Sequence, residues 1–283
     1  QAMGSEVRLE VEGEMRVGTI SAGEAGGVNL KAGGGISDGG TDEVDVTGGV
    51  LTMTAGGAIT LDTQVGSLSA SVTGEGAIDV DERDGITLTS VVTDDGGIVV
   101  RSGNLTVGSV TAGAMGDVSL EVAGAISDDG DSSTVVMADK LKVEAAGSIK
   151  LGTDVASLDA TASGGGLIEI EERDGITLTS VVAGGGRVTV SAGSISLGQN
   201  TLVAEAVNLE AREGDIVGSV DAREIDLQAT GKVDINDMGD LIVSQAMGSE
   251  VRLEVEGEMR VGTISAGEAG GVNLKAGGGI SDG

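Results

Sequence analysis

Apolar and polar residues alternate along this chain in short bursts. From Val7 onward a five-residue signature recurs with apolar side chains at positions one, three and usually five: VRLEV at Val7, VNLKA at Val28, LTMTA at Leu51, LSASV at Leu68, IVVRS at Ile98, VSLEV at Val118, LKVEA at Leu141, LDATA at Leu158, VTVSA at Val188, VNLEA at Val207, IDLQA at Ile225 and VRLEV again at Val251. Period two sends alternate side chains to opposite faces of a strand. The spacing therefore predicts strands with an apolar face, and puts Leu120 and Leu209 inside but Ser119 and Asn208 outside. Second strands follow Gly-containing turns, as in Ile59-Thr60-Leu61, Ile78-Asp79-Val80 and Ile149-Lys150-Leu151. No stretch carries a capped, 3.6-residue amphipathic pattern, so no helices are expected.

The signatures start 21, 23, 17, 30, 20, 23, 17, 30, 19, 18 and 26 residues apart, and these steps close on 244. The run 23, 17, 30 occurs twice, which nests a superunit of 90 residues inside the larger period; DGITLTSVV begins at both Asp84 and Asp174. The larger period is literal. Residues 1–39 return letter for letter as residues 245–283, so residues 1–244 read as one full repeat of about eleven coils and 245–283 as the start of the next. Repetition on this scale marks a solenoid or array, in which a unit that cannot bury its own apolar face buries it against its neighbours. The expected fold is all-β: a parallel β-helix with coils of about 17–30 residues and Gly at the corners, where φ > 0 is needed. A sandwich would need hairpin turns and larger core residues, and the chain supplies neither.

Composition sharpens this picture. Trp, Tyr, Phe, Pro, Cys and His are all absent, and Gly accounts for 52 of 283 residues. A core without rings is narrow and uniform, because aromatic side chains supply bulk in ordinary globular cores. The lack of Pro leaves every backbone N–H free for a ladder. A net charge of −30 repels phosphate backbones and anionic surfaces, which argues against nucleic acid as a partner; no run of 18 or more apolar residues suggests membrane insertion.

An acidic balance invites cations. Asp38, Asp42, Glu43 and Asp45 share one long corner, and Asp128, Asp129 and Asp131 occupy the equivalent corner one superunit later. Asp38, Asp42, Asp45, Asp128, Asp129 and Asp131 are the candidate Ca²⁺ ligands, since carboxylates grouped on a loop suit an ion that takes six to eight oxygens. Two further clusters recur as Asp79, Asp81, Glu82, Asp84 and Glu169, Glu171, Glu172, Asp174, and a third comprises Asp234, Asn236, Asp237 and Asp240. A carbohydrate-active β-helix would need one acid pair in a unique groove, with sugar-positioning groups. These acids repeat instead, no His is present to move a proton, and Arg83 and Arg173 read as counter-charges to their acidic neighbours. Asn104-Leu105-Thr106 fits the glycosylation acceptor pattern.

VTVSAGSISLG from Val188, LTMTAGGAITLDT from Leu51 and LKVEAAGSIKLGT from Leu141 resemble the repeats of filamentous haemagglutinin-like proteins, giant bacterial surface adhesins. The resemblance implies a right-handed β-helical shaft, export through an outer-membrane partner and a place at the cell surface or outside the cell. The expected function is structural and non-catalytic: a segment of a long fibre or adhesin stalk whose partner is itself, by continuous or head-to-tail stacking. The alternative is a Ca²⁺-binding module for lateral assembly; a carbohydrate-active enzyme ranks behind both.

Overall fold

The computed structural model describes residues 2–3, 5–40, 44–131, 135–198 and 202–283. They form β-strands and turns with no helix, and the strands pair in parallel as a stacked β-solenoid. The chain divides into two compact units, residues 1–145 and 146–283.

In the first unit the stacking can be followed side by side. On one side Val7 pairs with Val28, Val28 with Leu51, Leu51 with Leu68 and Leu68 with Leu88. On the second, Met15 leads to Ile36, Ile59, Ile78, Ile98, Val118 and Leu141. A third side runs from Ile20 to Val46 to Thr63. Steps between paired residues range from 17, Val46 to Thr63, up to 26, Ile20 to Val46. The interior is a dry column: Leu51, Leu68, Leu88, Ile59, Ile78 and Ile98 have no measurable exposure. Each such side chain contributes roughly 1.5–3 kcal/mol relative to remaining in water.

The second unit repeats the scheme. Ile149 pairs with Ile168, and the ladder continues through Val188, Val207 and Ile225 to Val243. Beside it run Ile195, Ile216, Val233, Val251 and Val272. The junction between the two sequence repeats, at residues 244 and 245, lies inside strand Leu241–Gly248. The 244-residue period is thus a period of sequence and not a break in the ladder.

The ladder revises two expectations. The five-residue signatures do not occupy a single column: those at Val7, Val28, Leu51 and Leu68 share one side, whereas Ile98 rests on Ile78 and belongs to another. The 30-residue step from Leu68 to Ile98 is therefore a change of side, because the residue above Leu68 is Leu88. Glycine serves mainly for close approach. Among the described residues positive φ is confined to Gly23, Gly113, Gly130, Gly165, Gly184, Gly185 and Gly218. At the stacked corner Gly33–Gly56–Gly74, a Cβ on Gly56 would lie 2.2 Å from the Gly33 carbonyl oxygen, and one on Gly74 2.5 Å from that of Gly56.

Candidate functional site

The corner acids divide into two groups. Asp38 closes its own turn, its Oδ1 accepting from the Gly40 N–H at 2.6 Å. Asp45 is fully buried. Its Oδ2 accepts from the Asp62 N–H at 3.0 Å and its own N–H donates to the Asp62 carbonyl at 2.8 Å, which fastens this corner to the coil above. No donor reaches Asp45 Oδ1. Burial pushes the Asp45 carboxyl up to about 6 against the Asp62 N–H bond, which lowers it, while the nearby negative charges of Asp38 and Asp62 add to the rise. The negative charge of Asp38 lies close enough to oppose ionisation of Asp45.

At the equivalent corner Asp128 Oδ1 accepts from the Gly130 N–H and Asp129 Oδ1 from the Asp131 N–H, at 3.1 and 3.0 Å. Of the six candidate Ca²⁺ ligands, the structure brings Asp38 and Asp45 together and spends Asp128 and Asp129 on turn closure; Asp42 lies outside the described residues. Among the described residues no group of three or more acidic side chains is arranged to hold a metal ion.

The more informative acids are Glu82, Glu172 and Asp237. Below Glu82 the third side is present as residues 63–65, but the ladder above stops at the pair Thr63–Glu82 and resumes at Ser67–Thr87. Residues 83–85 turn across instead, so the edge at residues 64–66 has no strand above it. Glu82, itself buried, fills the gap. Its Oε2 accepts from Thr63 Oγ1 at 2.8 Å and the Val65 N–H at 3.0 Å, while Oε1 accepts from the Asp84 N–H at 3.1 Å. The carboxylate thus takes the hydrogen bonds that the missing strand would have accepted. A buried N–H left without an acceptor costs about 1–3 kcal/mol.

The device recurs in the second unit. Glu172 accepts from Thr153 Oγ1, the Val155 N–H and the Asp174 N–H at 2.8, 3.2 and 3.1 Å. Asp237 accepts from the Ala222 N–H at 3.2 Å and the Gly239 N–H at 2.7 Å. Here Val220 stands where the other two ledges have Thr, so the hydroxyl bond is absent. Burial raises all three carboxyl pKa values above the ordinary range, against the hydrogen bonds that lower them. Each ledge falls inside one of the long steps of the sequence, Leu68 to Ile98, Leu158 to Val188 and Ile225 to Val251.

Shallow recesses flank the first ledge. One, of about 380 Å³, is lined by Asp62, Thr63, Asp81 and Arg83. Arg173, the counterpart of Arg83, pairs at 3.0 Å with Asp154, 19 residues earlier, whereas the sequence pointed to the acids beside it. Asn104 Oδ1 accepts from the Ala125 N–H at 3.0 Å, so the Asn of the acceptor pattern ties its turn to the next coil. The arrangement of these groups supports hydrogen bonding within the solenoid: its buried acids bind backbone N–H groups of this chain. Comparison with known proteins finds no matching family model, no similar curated protein and no similar solved structure.

Proposed function

We propose that this chain is a non-catalytic shaft segment of a long extracellular β-solenoid fibre or adhesin stalk, of the kind found in filamentous haemagglutinin-like surface proteins. One observation carries the reading. The 39 residues that occur twice take the same pairing both times, Val7 with Val28 and Val251 with Val272, so the literal repeat of sequence is a repeat of structure. A fibre needs many equivalent floors, whereas an enzyme needs one distinctive site. Coils at the interstrand spacing of about 4.8 Å add length steadily as periods accumulate. Exposed acids and a net charge of −30 keep such a surface soluble.

The test is imaging of a recombinant polypeptide that carries several 244-residue periods. Negative-stain micrographs are expected to show thin unbranched rods whose length grows in proportion to the number of periods. Compact particles, or rods of constant length, would overturn the proposal.

A further inference from the structure

On the side of the first unit that carries Leu51, Leu68 and Leu88, the outward positions form a lattice that the linear sequence disperses. Pairing sets Val50 beneath Ser67, Thr87 and Thr106 in one column, Thr52 beneath Ser69 and Ser90 in the next, and Thr54 beneath Ser71, Val92 and Thr111 in a third. Ser109 completes the middle column, one residue before Val110, which rests on Val91. An extra residue at Thr89, matched by Gly108, keeps the two upper rows in register with each other. Every position of the lattice except Val50 and Val92 bears a hydroxyl group.

The face is also neutral. Residues 50–54, 67–71, 87–92 and 106–111, which build the four rows, include no Asp, Glu, Lys or Arg. The adjacent side, by contrast, stacks Asp62, Asp81, Arg101, Glu121 and Glu144 in one column. In a chain of net charge −30 a neutral surface of this extent is the exception. Its hydroxyls are available: among the described residues Ser67 alone of this set bonds within the chain, its Oγ donating to the Gly49 carbonyl at 3.5 Å. The side chains are partly exposed, and Val50 is 50% exposed at the edge of the lattice.

Rows of a parallel ladder repeat at about 4.8 Å, and next-but-one residues of a strand at about 6.6 Å. Hydroxyl groups on a mesh of this size lie near the spacing of water molecules on the flat faces of hexagonal ice. Each hydroxyl donates one hydrogen bond and accepts two, as a lattice water needs from its neighbours. The Thr and Val methyls between them leave water bonded to water, whereas a charged group would draw it into a radial shell. We infer that this face binds crystalline water, holding the chain against an ice surface. A soluble sugar would want a concave site, and the recesses of this unit lie among the acids, at Asp62 and Asp81 and at Glu24, Glu82 and Asp84. Nor has the chain an aromatic ring on which a sugar could stack. The inference goes beyond the shaft reading, since it concerns what one lateral face binds.

Ice-affinity partitioning of the labelled 283-residue chain tests it, by asking whether slowly growing ice takes the protein up or leaves it in the liquid. The parent is expected to be enriched in the ice. The double variant Ser69→Lys with Ser90→Lys, which sets two ammonium groups at the centre of the lattice, is expected to lose that enrichment with unchanged far-UV circular dichroism. Ser69→Thr with Ser90→Thr, which keeps both hydroxyls, and Ser119→Lys, on the charged side, should both be taken up like the parent. Exclusion of the parent from ice, or equal uptake of the parent and the double-lysine variant, would overturn the inference. Sedimentation velocity on the same samples separates the competing occupant. A parent dimer that dissociates in the double-lysine variant, with no uptake into ice, would give the face to a second copy and overturn the inference as well. Chains of several periods that form rods yet stay out of ice would leave the shaft proposal standing and remove this one; uptake by chains that image as compact particles would do the reverse.

Discussion

Glu82 shows how much a single side chain can decide. It is buried, yet three donors converge on it, so replacement by leucine would leave Thr63, Val65 and Asp84 without their acceptor. Glu82→Leu is expected to cost about 2–4 kcal/mol in urea unfolding, with faster amide exchange at Val65; an unchanged midpoint would mean that the ledge is held by packing alone. The raised carboxyls set a pH dependence whose sign follows from their direction. Asp45, Glu82, Glu172 and Asp237 bind a proton more readily folded than unfolded. Stability is therefore greatest below the ordinary carboxylate range and is lost as pH rises through the folded values, for Asp45 between about 4 and 6. Glu10 and Glu254, held low by Lys31 and Lys275, act oppositely, and their contribution fades only at stronger acidity. The melting temperature is expected to rise from pH 7.5 to pH 5, and Asp45→Asn to flatten that rise. The period-two reading placed Leu120 and Leu209 inside, where both are fully buried. The same alternation also points Glu82 inward, after Ile78 and Val80, and Asp237 after Val233 and Ile235. Counting acids by cluster instead of by phase hid them.

The strand is the scale at which inward and outward positions differ most. Leu120→Asp or Leu209→Asp puts an unpaired charge in the dry column and is expected to cost about 4 kcal/mol or more. Ser119→Asp and Asn208→Asp, on the opposite face, should stay within about 0.5 kcal/mol. Thermal melts of the four variants test this, and equal losses at both faces would contradict the assignment. Corners are as demanding as strands. Gly56→Ala sets a methyl group against the Gly33 carbonyl, which is backbone and cannot swing aside, so a loss of about 2 kcal/mol is expected from the same melts. Strands and parallel stacking were legible in the sequence because alternation and repetition are local. The change of side was not, because a 30-residue step reads equally well as one long coil; only the register of Leu68 with Leu88, and of Ile78 with Ile98, separates the two. The corner glycines misled for a related reason. A close approach between coils leaves no local mark that distinguishes it from a demand for positive φ.

Within each unit, the molecule is a column of like floors under heavy negative charge. Repulsion among 46 acidic groups against 16 basic ones opposes compaction, so moderate NaCl should raise the melting temperature while leaving Leu120→Asp no less damaging relative to the parent. The parallel ladder also fixes a mechanical response. Its hydrogen bonds run along the stacking direction, so a pull applied along that direction loads successive floors in series. The weakest floor should give way first. Steps of 17 to 26 residues then release roughly 60–90 Å of chain per event. A unit stretched in this way behaves as an extensible tether that pays out length turn by turn, where a sandwich would rupture all at once.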